Sequence, residues 1–224
     1  MDDRIARLRA RWSDPLLTAL TVLIVIMLFV AAPLQASGII VFQAFELVFA
    51  LVLVAGAFVM SGSRIAMAAM LVSLLMATVG GIDRIRSPSA LDIDLFAGSW
   101  LVMGITMIWV VWGAVFAPGK ITYHRVMGAV LLYLTIAVIF VPLFAFVGST
   151  IPNAFNGISV QDTPALASNL IYFSFVTLTT TGYGDVFPVH PIARALCNVE
   201  AIIGQLYPAT LLARLVTLEM AHRG

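Results

Sequence analysis

The chain has 224 residues, 62% of them hydrophobic and only 10% charged, and its 12 basic and 11 acidic side chains nearly cancel. Soluble domains carry nearer a quarter charged residues, so this is the composition of an integral membrane protein, and the missing basic excess argues against nucleic acid as a partner. The single cysteine, Cys197, excludes an intrachain disulfide, and no Cys/His spacing points to structural zinc.

In chain order, the opening segment (1–15) contains "DDRIARLRARW", with Ile5, Leu8 and Trp12 at helical spacing beside Arg4, Arg7 and Arg11. It fits an interfacial helix or a flexible basic flank. Crossing a bilayer core of about 30 Å takes about 20 apolar helical residues. Six runs qualify, at 16–32, 39–60, 65–82, 95–117, 126–147 and 192–218. The first run, with its basic flank, also has the outline of a secretory signal; its weak cleavage context and length favour a retained span. Connectors such as "APLQASG", "SGSR", "DRIRSPSALDID" and "APGKITYHR" carry turn chemistry.

The fifth and sixth runs are separated by about 44 residues, whose second half is apolar again. In "TPALASNLIYFSFVTLTT", Asp162 or Thr163 as cap and Pro164 in the first turn predict a short helix over 164–179. It is too short to span, which implies a re-entrant element. The expected fold is an all-α membrane protein with six transmembrane helices and a re-entrant helix between the fifth and sixth. Its parts are the N-terminal segment 1–15, a four-span unit 16–117 and a final unit 118–224. With a cytoplasmic N-terminus, nine arginines and lysines lie on the inner side against Arg84, Arg86 and Arg194 outside, which supports cytoplasmic termini.

The stretch "TLTTTGYGD" (177–185) is out of keeping with its surroundings. Irregular polar backbone at membrane depth is tolerated only inside protein or along a water-filled path. "TTGYGD" at 180–185, after a short helix and between two spans, resembles the potassium-channel pore, whose usual pattern is TVGYGD; Thr181 is the one departure. The resemblance covers about 125–220. It implies a homotetramer in which carbonyls of Thr180, Thr181, Gly182 and Tyr183, with the Thr180 hydroxyl, line potassium sites. Potassium is then the permeant ligand, with no cofactor. A potassium ion leaves water only if rings of oxygens replace its shell, so successive carbonyls must face one way. Gly182 and Gly184 supply the left-handed dihedrals this needs at alternate positions. The resemblance also implies that Tyr183 turns toward Tyr172 and Phe173, that Asp185 anchors the outer mouth, and that Thr177 and Thr179 lie behind the filter. The negative end of the short helix, near Thr179, favours a cation below it.

Gly204 and Pro208 interrupt the sixth run. Two readings stand: a bend that opens a cytoplasmic gate, and close packing of Gly204 on the short helix. Glu200, one turn before Gly204, is costly if ionised there; a neutral acid, or one bonded to Thr177 or Thr179 behind the filter, fits either a structural or a gating role. Glu46, near Gln43 in the second run, faces another helix, an aqueous crevice or the interface. His124 and His190 flank spans, and Arg194 and Arg214 are placed to snorkel outward and inward respectively.

Voltage sensing needs several charges, each worth about 2.3 kcal/mol per 100 mV. The fourth run has none, so voltage dependence is expected to be weak or absent. Its Gly98, Gly104 and Gly113 point to close helix packing, and Trp100, Trp109 and Trp112 to packing or interfacial anchors. Regulation is expected through the membrane, its lipids, ions or a separate partner protein. The compact chain points to a prokaryotic inner membrane. The functional expectation is a passive, potassium-selective channel; the alternatives are a non-selective cation channel and a non-conducting scaffold or sensor. No Ser/His/Asp constellation, metal-ligand cluster or nucleotide loop suggests an enzyme.

Overall fold

A computed structural model describes residues 15–38, 63–86, 90–116, 123–161, 163 and 165–223. The predicted second span with Glu46, most of the basic N-terminal segment, the cap candidate Asp162 and Pro164 lie outside the described residues; the other cap candidate, Thr163, does not cap the short helix, whose N-cap is Ala165 with no side-chain bond. Six helices are described: α1 (Pro15–Ala36), α2 (Arg64–Arg86), α3 (Ala90–Val115), α4 (Tyr123–Thr150), α5 (Leu166–Leu178) and α6 (Pro191–Arg223). A two-residue strand β1 (Phe155–Asn156) pairs antiparallel with β2 (Phe187–Pro188) on either side of α5.

Local chemistry accounts for several ends. Ser63 caps α2 by accepting the Ala66 N–H at 3.4 Å. Pro191 opens α6, where the missing N–H is no loss. The helices run past the apolar runs that announce them: α2 continues to Arg86 and α3 begins at Ala90, so most of the "DRIRSPSALDID" connector is helical. Hydropathy marks the stretch that needs lipid, whereas the backbone ladder continues until a proline or glycine stops it. Within α1, a π-helical turn at Met27–Ala31 displaces the register, and its Phe29 ring meets Phe175 of α5 at 5.0 Å.

Four helical stretches among the described residues are long and apolar enough to cross a membrane: Pro15–Ala36, Arg64–Asp83, Ile93–Gly113 and Tyr123–Thr150. With its 13 residues, α5 is about 20 Å long, short of the bilayer core. Although α6 has 33 residues, Asn198, Glu200 and Gln205 dilute its apolar character.

Packing in an apolar solvent depends on close approach and on satisfied polar groups. Ser73 of α2 and Ser99 of α3 donate to each other's carbonyls, both at 2.9 Å. A side chain at Gly98 would strike Met76, and one at Gly104 would strike Ile139, whereas nothing approaches Gly113. Of the three glycines expected to pack closely, two do. Along α4, Thr21 donates to the Met127 carbonyl at 3.0 Å, Thr18 bonds His124 Nδ1 at 2.8 Å, and the Tyr207 hydroxyl of α6 donates to the Ala129 carbonyl at 2.7 Å. Part of the core is aromatic: Phe144 of α4, Phe155 of β1 and Phe173 of α5 form a triangle with ring separations of 4.8 to 5.7 Å. This cluster fixes α5 against α4 and, through the β1–β2 pair, ties the chain before α5 to the chain after residue 184.

Candidate functional site: the TTGYGD segment and its supports

The segment leaves α5 without a break in hydrogen bonding. The Phe175 carbonyl accepts the Thr179 N–H at 3.0 Å, Thr177 accepts Thr180 at 2.9 Å, and Val176 accepts Thr181 at 2.9 Å and Gly182 at 3.4 Å. Carbonyls that would otherwise be orphaned at the helix end are thus satisfied by the segment itself. Thr180, Gly182 and Gly184 have φ of +55°, +55° and +82°, while Thr181 and Tyr183 between them do not enter the positive range. Such alternation lets successive carbonyls face one side, where a regular strand would alternate them. A Cβ on Gly182 or Gly184 would meet nothing within 4 Å, so glycine is required there by conformation and not by space. Sequence reasoning anticipates the two glycines. It misses Thr180, because a β-branched residue is a poor candidate for that region.

The outer end is held from two sides. Tyr172 stacks on Tyr183 at 6.4 Å and 4° between planes, and its hydroxyl donates to Asp185 Oδ2 at 2.8 Å. Asp185 Oδ1 accepts the Val186 N–H at 3.0 Å. Phe173 does not meet Tyr183: neighbouring helix positions point about 100° apart, and Phe173 turns into the aromatic triangle at the back of α5. Gly157, with φ of +84°, brings the loop after α4 so close that a Cβ would overlap the Asp185 carbonyl.

Behind the segment, Glu200 is fully buried. Its partner is Ser174: the hydroxyl lies 2.5 Å from Glu200 Oε1 and 2.9 Å from the Ala137 carbonyl of α4. Thr177 and Thr179, the hydroxyls first assigned to it, instead bond back to Phe173 and Phe175 of their own helix at 2.9 and 2.7 Å, and Thr179 also reaches Thr181 at 2.8 Å. Ser174 has one proton and two oxygen neighbours. Bonding both requires a second proton, which a neutral Glu200 acid supplies. The chain Glu200–Ser174–Ala137 then joins α6, α5 and α4. Among the described residues, Glu200 Oε2 has no partner.

Gly204 sits against the end of α5, where a side chain would overlap the Leu178 carbonyl. Pro208, four residues on, lacks the N–H that would bond the Gly204 carbonyl. The next residue, Gln205, donates through Nε2 to Thr180 Oγ at 3.0 Å. Sequence reasoning missed Ser174 and Gln205. The first is a lone hydroxyl on the apolar stretch of α5 and the second a lone amide beside Gly204, and both were legible as polar exceptions on apolar helices. At the flanks, His190 Nδ1 accepts the Ile192 N–H at 3.3 Å and Arg194 Nε donates to the Pro188 carbonyl at 3.3 Å.

Comparison with known proteins bears on the same half of the chain. Residues 128–220 match the family described as "Ion channel". Protein LctB of Bacillus caldotenax is 28% identical over 126 residues, covering 55% of this chain and 91% of that protein. No solved structure matches. Together with the apolar helices, the match over α4, α5, the TTGYGD segment and α6 supports an ion channel and points to a membrane transport protein, not an enzyme.

Proposed function

We propose that the protein is a potassium-selective channel, a homotetramer in which four TTGYG segments surround one axis. The observation that carries this reading is the alternation of left-handed residues at Thr180, Gly182 and Gly184, continuous with the capped end of α5. Four such backbones offer rings of carbonyl oxygen from Thr180, Thr181, Gly182 and Tyr183, which replace the hydration shell of an ion in passive transit. Gly184, Asp185 and Tyr172 support the filter from outside. Potassium is the permeant ligand and no cofactor takes part. Both termini lie on the cytoplasmic side of a prokaryotic inner membrane, and regulation comes through lipid or a separate partner.

The gate lies on α6. Gly204, pressed on Leu178, is the fixed point, and the helix below it, where Pro208 lacks the N–H of a normal helical bond, is the compliant part. Packing and bending thus occupy adjacent positions: the helix is held above and free to swing below.

The test is the reversal potential of the purified protein in planar bilayers, potassium on one side and sodium on the other. A value near the potassium equilibrium potential is expected. A value near zero would replace potassium selectivity with general cation permeation, and no current under any condition would leave a scaffold.

A further inference from the structure

Thr180 is the one residue of the filter whose conformation its own chemistry disfavours. A β-branched side chain at φ +55° is an outlier that persists only where surrounding contacts over-determine it. Two contacts do so here. The Thr180 N–H is bound to the Thr177 carbonyl at 2.9 Å, and its hydroxyl oxygen accepts Gln205 Nε2 at 3.0 Å. The second comes from another helix. It depends on Gly204, whose missing side chain lets α6 approach the end of α5 closely enough for its neighbour to reach the filter.

We infer that Gln205 is a specificity-determining residue, whose amide holds Thr180 so that the innermost cation site of the filter is complete. This rests on the filter reading given above. The hydroxyl of threonine has one proton and two lone pairs. With the amide N–H occupying one lone pair, the rotor is fixed and the other lone pair is kept in a constant direction for a dehydrated cation. Without the amide, the hydroxyl rotates and the strained backbone at Thr180 relaxes toward the extended region. Oxygens that can move inward fit a smaller ion as well as the larger one, so sodium gains relative to potassium. Thr180 and Gln205 are both exposed in the single chain, as residues facing a shared axis must be.

The experiment is the potassium-to-sodium permeability ratio, from bi-ionic reversal potentials, for the parent, Gln205→Leu, Gln205→Met, Thr180→Val and the two combined variants. Leucine and methionine keep the bulk of the residue and remove the donor, so one of them serves if the other fails to assemble. The ratio is expected to fall at least about fivefold in the donor-less variant, the equivalent of one uncompensated hydrogen bond. In the Thr180→Val background the same substitution should change it less than about twofold, because the acceptor is already gone. A parent without potassium preference would overturn the filter reading itself. A selective parent with an unchanged Gln205 variant would overturn this inference alone, as would an equal drop in both backgrounds, which would place the effect of Gln205 elsewhere in the cavity.

Discussion

Replacing Gly204 by alanine sets two effects of opposite sign against each other. In an unobstructed helix, alanine is favoured over glycine by about 1 kcal/mol because it restricts the unfolded backbone. At this position the new methyl would overlap the carbonyl oxygen and carbon of Leu178. Both are main-chain atoms, so no side-chain rotation relieves the overlap, and α6 must move away from α5. Overpacking costs about 1–3 kcal/mol, and a main-chain clash belongs at the upper end of that range. The net expectation is a loss of about 2 kcal/mol per chain, taking the upper overpacking figure less the propensity gain. The assay is denaturant unfolding of the purified protein in detergent, followed by helical circular dichroism, with conductance measured in parallel. Conductance should fall as well, since the shift carries Gln205 away from Thr180. A Gly204→Ala protein as stable as the parent, or more so, would refute the packing argument and leave the glycine as a simple point of flexibility.

Three further substitutions probe the polar supports. Glu200→Gln keeps a donor beside Ser174 and should stay within about 1 kcal/mol of the parent, whereas Glu200→Asp keeps the acid but draws it back by one methylene, leaving a buried carboxyl unbonded at a cost of about 2 kcal/mol. The same unfolding assay ranks them, and aspartate proving the milder change would mean that the site holds a charged group. Tyr172→Phe removes the bond to Asp185 and retains the stacking on Tyr183; single-channel records should show open lifetimes about fivefold shorter, the equivalent of one exposed hydrogen bond of about 1 kcal/mol. Unchanged lifetimes would make that bond incidental.

Local sequence carried the central features a long way. The glycines at 182 and 184 are legible because only glycine takes those dihedrals without steric cost, and the brevity of α5 is legible because apolar length is countable. What the sequence concealed depends on which helix faces which. Glu200 was recognisable as a costly buried acid, but three hydroxyls lay within plausible reach, and only the rotation of α5 about its axis decides that Ser174 faces it while Thr177 and Thr179 bond backward. The same rotation separates Tyr172 from Phe173, adjacent in sequence and committed to different faces of α5. Helix ends were displaced for a different reason: α2 and α4 extend beyond their apolar runs because hydrogen bonding continues into water. The β1–β2 pair is two residues long on each side and leaves no periodicity to read.

The position of Pro208 also sets a mechanical ratio. From there to Arg223, the end of α6, are 15 residues, about 22 Å of rigid rod at 1.5 Å per residue. A kink of about 20°, the size at which proline bends become sharp, therefore sweeps the far tip through about 8 Å while the residues just above the proline barely move. The short arm is pinned against Leu178 and the long arm carries the displacement. A small angular change is thus magnified at the C-terminal end of α6 and attenuated toward Thr180, so that in the channel proposed above a gate on α6 opens widely without disturbing the filter.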